Sequence, residues 1–151
     1  MKRLLFVYHT QSGSTERLAR AAFDGAREEG GCELRLLRAI EASAPDLRWA
    51  DGVVFCTPEN FGYVSGGMKD FLDRSFYAVA EERLNCAYAL LVSAGNDGSG
   101  AVRQMQRILR AYPMREVADA VIVRGLPRED ELLRARELGA ALAAGLALGI
   151  F

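Results

Sequence analysis

Histidine is almost missing from this 151-residue chain, with His9 the single example, and cysteine is limited to three residues. A His-rich metal centre is therefore excluded. Cys32, Cys56 and Cys86 are odd in number, lie far apart and form no Cys-x-x-Cys pair. Neither a disulfide framework nor a zinc cluster is expected, and a reducing, cytoplasmic setting is the reading that follows. No sign of charge dominates either, since 19 Lys and Arg stand against 20 Asp and Glu. Such a balance offers no gross attraction to nucleic acid or to an anionic membrane. Long apolar runs are also lacking. Leu4 to Tyr8 is too short for a signal peptide and is followed by the polar stretch His9 to Ser14. The uncharged stretch from Leu138 to Phe151 is shorter than the ~20 residues needed to span a bilayer, and is read as the end of a packed helix.

Half the residues are hydrophobic and 26% are charged, which excludes disorder, collagen and coiled coil. The length suits one domain over residues 1–151, and no linker, repeat or low-complexity tract divides it. Short continuous apolar runs occur at Leu4–Tyr8, Gly52–Cys56, Ala87–Ser93 and Ala120–Val123. Runs of this kind mark strands buried on both faces, as in parallel sheets covered by helices. Glu33–Leu37 alternates more, which suits an edge strand. Helical stripes lie between them: Leu18, Ala19, Ala22, Phe23 and Ala26; Met68, Phe71, Leu72 and Val79; Val102, Met105, Leu109 and Tyr112; Leu132, Ala135, Leu138, Leu142 and Leu146. Asp46 to Ala50 is a candidate short helix. The acids Glu129, Asp130 and Glu131 open the last helix, where its dipole favours negative charge. This alternation implies an α/β fold with a doubly wound parallel sheet.

In such a sheet, ligands bind beyond the carboxyl ends of the strands, where the strand order reverses. Three loops at that edge stand out. Thr10 to Thr15 follows the first strand and is rich in hydroxyls. It reads either as an anion site at a helix N-terminus or as a simple Ser/Thr cap. It lacks the Gly-Lys-Ser/Thr of a P-loop, and Gly95, Gly98 and Gly100 do not have the Gly-x-Gly-x-x-Gly spacing. ATP hydrolysis and Rossmann-type dehydrogenation therefore lose ground. Thr57 to Gly67 carries two aromatics, Phe61 and Tyr63, suited either to stacking on a flat ring or to covering the core. Ser93 to Gly100 is small and polar, which allows close backbone approach. Together the loops fit a flat, phosphorylated heterocycle.

The stretch Tyr8–Ala19 (YHTQSGSTERLA) resembles the phosphate loop of the flavodoxin superfamily. Pro58–Arg74 (PENFGYVSGGMKDFLDR) resembles the second loop and following helix of NAD(P)H-dependent FMN reductases and flavodoxin-like quinone reductases. The resemblance implies a five-stranded sheet in the order 2-1-3-4-5 with helices on both faces. It implies FMN held at its phosphate by Thr10, Ser12, Gly13, Ser14 and Thr15. Pro58, Glu59, Asn60, Phe61 and Gly62 would line the isoalloxazine. Ser93, Gly95, Asn96, Asp97 and Gly98 would meet its pyrimidine edge. Lys69, Asp70, Asp73 and Arg74 match the motif on a helix, where packing and local ion pairs are expected of them.

The chain departs from electron-transfer flavodoxins, which are usually strongly acidic and sandwich the flavin between Trp and Tyr. Its net charge is -1, and its one tryptophan, Trp49, precedes the third strand, away from the ligand edge. The third loop has no aromatic, so one face of the ring is expected to stay open. It has Asn96 and Asp97 where some relatives place a histidine. The resemblance thus implies a flavin oxidoreductase that takes electrons from NAD(P)H and passes them to a quinone or similar small acceptor, with no catalytic side chain nominated. Two other readings stand beside it: an electron carrier docking with redox partner proteins, and a flavin-free binding module. A homodimer or homotetramer is compatible with the family. His9 is expected to pack at a strand end and Cys56 in the core, while Cys32 and Cys86 flank strands. Arg103, Arg107 and Arg110 form a solvated stripe that is able to attract a nicotinamide phosphate.

Overall fold

A computed structural model describes residues 1–151. The order of elements is β1 (Lys2–Tyr8), α1 (Ser14–Glu29), β2 (Cys32–Arg38), α2 (Ala44–Trp49), β3 (Gly52–Asn60), β4 (Tyr63–Val64), α3 (Gly66–Val79), β5 (Ala87–Ala94), α4 (Ser99–Ala111), β6 (Arg115–Glu116), β7 (Val121–Arg124) and α5 (Glu129–Ala147). The parallel sheet runs β2-β1-β3-β5, and β6 and β7 both pair with the far edge of β5. This is the expected 2-1-3-4-5 order, with the last position made of two short pieces. β7 is the expected apolar strand. β6 is an exposed Arg-Glu pair with no apolar run to reveal it.

The continuous apolar runs are explained by burial on both sides. Leu5, Val7, Val53, Phe55, Tyr88 and Leu90 belong to one core, capped by α2, α3 and α4. Their sequence neighbours Leu4, Phe6, Val54, Cys56, Ala89 and Leu91 belong to the other, beneath α1 and α5. Successive side chains of a strand point to opposite faces, so both faces need apolar residues. On the second face, two glycines bring helices α1 and α5 together. A Cβ on Gly25 would strike the Arg136 carbonyl, and one on Gly139 would strike that of Ala22.

The edge strand β2 is only partly buried, as its alternation predicts. The short helix α2 opens at Ser43, whose backbone N–H donates to Asp46 Oδ2 at 2.9 Å. Trp49 ends α2, just before β3 begins, and lies under the Arg35 guanidinium, 3.9 Å from the ring centroid. It is thus at the opposite end of the sheet from the strands' carboxyl ends. No helix is long and apolar enough to cross a membrane.

β3 runs four residues past the expected Cys56, to Asn60, and turns back into β4. Asn60 pairs with Tyr63, and the two-residue turn between them has Phe61 at φ +54° and Gly62 at φ +70°. Positive φ at both central positions is the hairpin turn whose twist matches that of the flanking strands. The anticipated long loop is therefore largely a β-hairpin that stands above the sheet.

Candidate functional site

A cleft of about 490 Å³ opens at the carboxyl ends of β1, β3, β5 and β7. That volume is within the range of small-molecule and cofactor sites. Its first wall is the turn from β1 into α1. Gly13 adopts φ +100°, a conformation glycine reaches without penalty, and its N–H donates to Thr10 Oγ1 at 3.0 Å. This turn brings Gln11, Ser12, Ser14 and Thr15 to the cleft. None of their N–H groups donates to a protein acceptor. Unpaired donors at a helix start, with no Lys or Arg among the walls, form a neutral anion cradle.

The second wall is Pro58, Glu59 and Asn60 at the end of β3. Asn60 Nδ2 donates to Gln11 Oε1 at 2.6 Å, which ties this wall to the first. Glu59 turns away to serve α4. Its Oε1 accepts the Gly98 N–H at 2.9 Å and its Oε2 accepts the Ala101 N–H at 3.1 Å. A carboxylate at this position satisfies the free donors and the dipole of a helix N-terminus. The turn rests directly on that helix start, since a Cβ on Gly100 would strike the Gly62 carbonyl.

The third wall is Ser93, Ala94 and Gly95, joined by Gly125 and Leu126 from the turn after β7. Ser93 Oγ lies 2.6 Å from Thr15 Oγ1, and both residues are buried. Asp97 caps Ser99, accepting from its hydroxyl at 2.7 Å. That bond holds the Asp97 carboxyl below the usual carboxylate range.

Of the residues singled out from sequence, Ser12, Ser14, Thr15, Pro58, Glu59, Asn60, Ser93 and Gly95 line the cleft together. Thr10, Gly13, Asp97 and Gly98 lie behind the walls, in the bonds that shape the loops. Phe61 and Gly62 form the hairpin turn, with Phe61 wholly exposed, and Asn96 is exposed on the third loop. Gln11, Ala94, Gly125 and Leu126 were not singled out. A loop following the last apolar strand run is a signal that would have found Gly125 and Leu126.

His9 packs at the end of β1, its Nδ1 2.9 Å from Ser65 Oγ. Ser65 Oγ accepts the Met68 N–H at 3.3 Å as the cap of α3. Ser65 Oγ also lies 3.2 Å from Thr57 Oγ1, and the imidazole tautomer sets which partner donates in the His9–Ser65 bond. Burial first, and the Arg38 charge second, lower the His9 pKa. On α3, Lys69 Nζ meets Asp73 Oδ1 at 2.7 Å and Arg74 Nε meets Asp70 Oδ2 at 2.7 Å, the local ion pairs expected of the motif.

The family model for NADPH-dependent FMN reductases matches residues 38–126. A relative from Aquifex aeolicus described as a flavodoxin is 32% identical, over 98% of this chain and 89% of its own length. One from Archaeoglobus fulgidus described as an NAD(P)H dehydrogenase (quinone) is 28% identical, over 97% of this chain and 87% of its own. Among solved structures, a flavodoxin from the Archaea matches with a TM-score of 0.85 at 19% identity, covering 95% of this chain and 98% of that one.

Proposed function

The chain belongs to the NADPH-dependent FMN reductase family, with the flavodoxin-like fold, and from that membership we propose that it is an FMN oxidoreductase passing electrons from NADH or NADPH to a quinone or similar small acceptor. The observation that carries this reading is the row of unpaired N–H groups at Gln11, Ser12, Ser14 and Thr15. They suit a phosphate, and Ser12, Ser14 and Thr15 add hydroxyls. From there the cleft continues between Pro58–Asn60 and Ala94–Gly95, which would flank the ring. When bound, FMN supplies the redox centre, and the protein supplies binding, orientation and electrostatics.

No wall of the cleft carries an aromatic side chain. The ring slot is therefore free for a second flat molecule to stack, first the nicotinamide donor and then the acceptor. No titratable side chain in the walls is free to move a proton, because Glu59 is engaged by Gly98 and Ala101. Backbone N–H groups of the loops are left to stabilise negative charge on the pyrimidine edge. A net charge of -1 supports a small-molecule reductase over an acidic carrier. The carrier reading draws on the flavodoxin relative and on the exposed Leu126 of the cleft and Phe61 of the adjoining hairpin turn, which suit contact with a protein.

The test is an absorbance titration with FMN, followed by anaerobic addition of NADH or NADPH and then a quinone. Rapid bleaching by a nicotinamide and recovery with quinone is the expected result. Bleaching only by dithionite or a partner reductase would favour the carrier. No uptake of FMN at micromolar concentration would overturn the site.

A further inference from the structure

Two buried hydroxyls meet beneath the cleft. Thr15 Oγ1, in the first turn of α1, and Ser93 Oγ, near the end of β5, are 2.6 Å apart with the two residues 1% and 6% exposed. Neither oxygen has any other protein partner. Each hydroxyl carries one proton and can both donate and accept. One proton is used in the bond between them, so the other is uncommitted. It belongs to the wall that already presents the unpaired N–H groups of Ser12 and Ser14. No cation shares that wall, so an anion there is held by neutral donors alone, and one more aligned hydroxyl has a measurable effect.

The pair has two orientations of equal bond count. An anion at the cradle selects one: Ser93 donates to Thr15, and Thr15 donates to the anion. Donation into a hydroxyl strengthens that hydroxyl as a donor, and the bond to an anion is charge-assisted. We infer that Ser93 is a positioning and specificity residue for the phosphate monoester, acting through Thr15, and that it favours FMN over riboflavin without serving the pyrimidine edge. The inference rests on the FMN reading above and gives that site a means of telling the two flavins apart.

The experiment compares FMN and riboflavin binding, by flavin fluorescence quenching, to the full-length protein and to Ser93→Ala, Ser93→Thr, Thr15→Val and the Thr15→Val/Ser93→Ala double variant. Urea midpoints establish that each variant is folded. Ser93→Ala should weaken FMN about five- to tenfold, in line with one aligned hydrogen bond, and leave riboflavin within twofold. Ser93→Thr keeps the hydroxyl and should restore FMN binding. The double variant should bind FMN no worse than Thr15→Val alone, because Ser93 acts only through Thr15. If Ser93→Ala does not fold, the ratio of FMN to riboflavin affinity in Ser93→Thr and Thr15→Val decides alone: a ratio kept by the first and lost in the second supports the inference, and any other pattern overturns it. Equal losses for both flavins in Ser93→Ala would place Ser93 at the ring and overturn the inference, and so would no loss for either. A wild-type protein that binds neither flavin overturns the FMN reading itself, and this inference with it.

Discussion

Glu59 reaches across 39 residues of chain to hold the backbone N–H of Gly98 at 2.9 Å. With the second bond to Ala101 it clamps the β3–β4 hairpin onto the start of α4. One side chain thus joins the two loops that flank the cleft. The Asn60–Gln11 bond joins the hairpin to the loop after β1 in the same way. The cleft is pre-formed because its walls are cross-linked by side chains.

Removing that clamp should loosen the cleft before it unfolds the protein. Glu59→Ala leaves the Gly98 and Ala101 N–H groups without their partner, a loss of ~1–3 kcal/mol. Glu59→Gln keeps one acceptor oxygen but sets an amide NH₂ against the second N–H, and should lose about half as much. Urea unfolding gives the stability difference, and FMN titration should show weaker binding in the same order. An alanine variant as stable as wild type would mean that the α4 start is held by other means.

The sheet was legible because burial on both faces forces runs such as Leu4–Tyr8 and Ala87–Ser93, and because the Thr10–Thr15 turn needs Gly13 at positive φ. The clamp was not legible, since nothing local to Glu59 points to partners 39 and 42 residues away. The hairpin was hidden because Phe61 holds the position at which asparagine or aspartate ordinarily signals such a turn. Ser93 lines the cleft, yet its contact with Thr15 depends on β5 ending beside the first turn of α1, a tertiary fact.

Phe61 sits at φ +54° with its ring wholly in solvent, so it gains no burial to offset an unfavourable backbone. A left-handed conformation costs an ordinary residue about 1–2 kcal/mol, and asparagine tolerates it better. Phe61→Asn should therefore stabilise the protein by on the order of 1 kcal/mol in urea unfolding. The same change should raise the KM for a quinone severalfold with kcat little changed, if the exposed ring guides the acceptor to the cleft. Gained stability with an unchanged KM would leave the aromatic without a role in acceptor binding.

The three cysteines are free thiols, and burial raises the pKa of each. Cys86 is pushed up to about 11, and Cys56 lies wholly inside the core. Thiolate is the reactive form, so none should react quickly at pH 8. A disulfide reagent such as DTNB should label the native protein slowly, at half-buried Cys32 first, and all three at once in denaturant. A fast native phase would show that one of the buried thiols is reached by local opening.

His9 makes one part of the pH dependence unusually clean, because no other histidine contributes. Burial and the Arg38 charge lower its pKa in the folded protein below the ordinary 6.5. Between the two values the unfolded chain binds a proton that the folded chain refuses, so stability rises with pH there. It is complete above about pH 6.5 and declines as the pH falls below it, until the folded pKa is reached. Asp70 and Tyr8 border the same pocket as His9 and Arg38. His9→Asn keeps a hydrogen-bonding partner for the Ser65 hydroxyl in either direction and cannot take a proton in this range. Urea midpoints measured from pH 7.5 to 5.5 should fall for wild type and stay level for the variant. A parallel decline in both would assign the loss to carboxylates, and a wild type that gains stability on acidification would mean that His9 is charged in the folded protein.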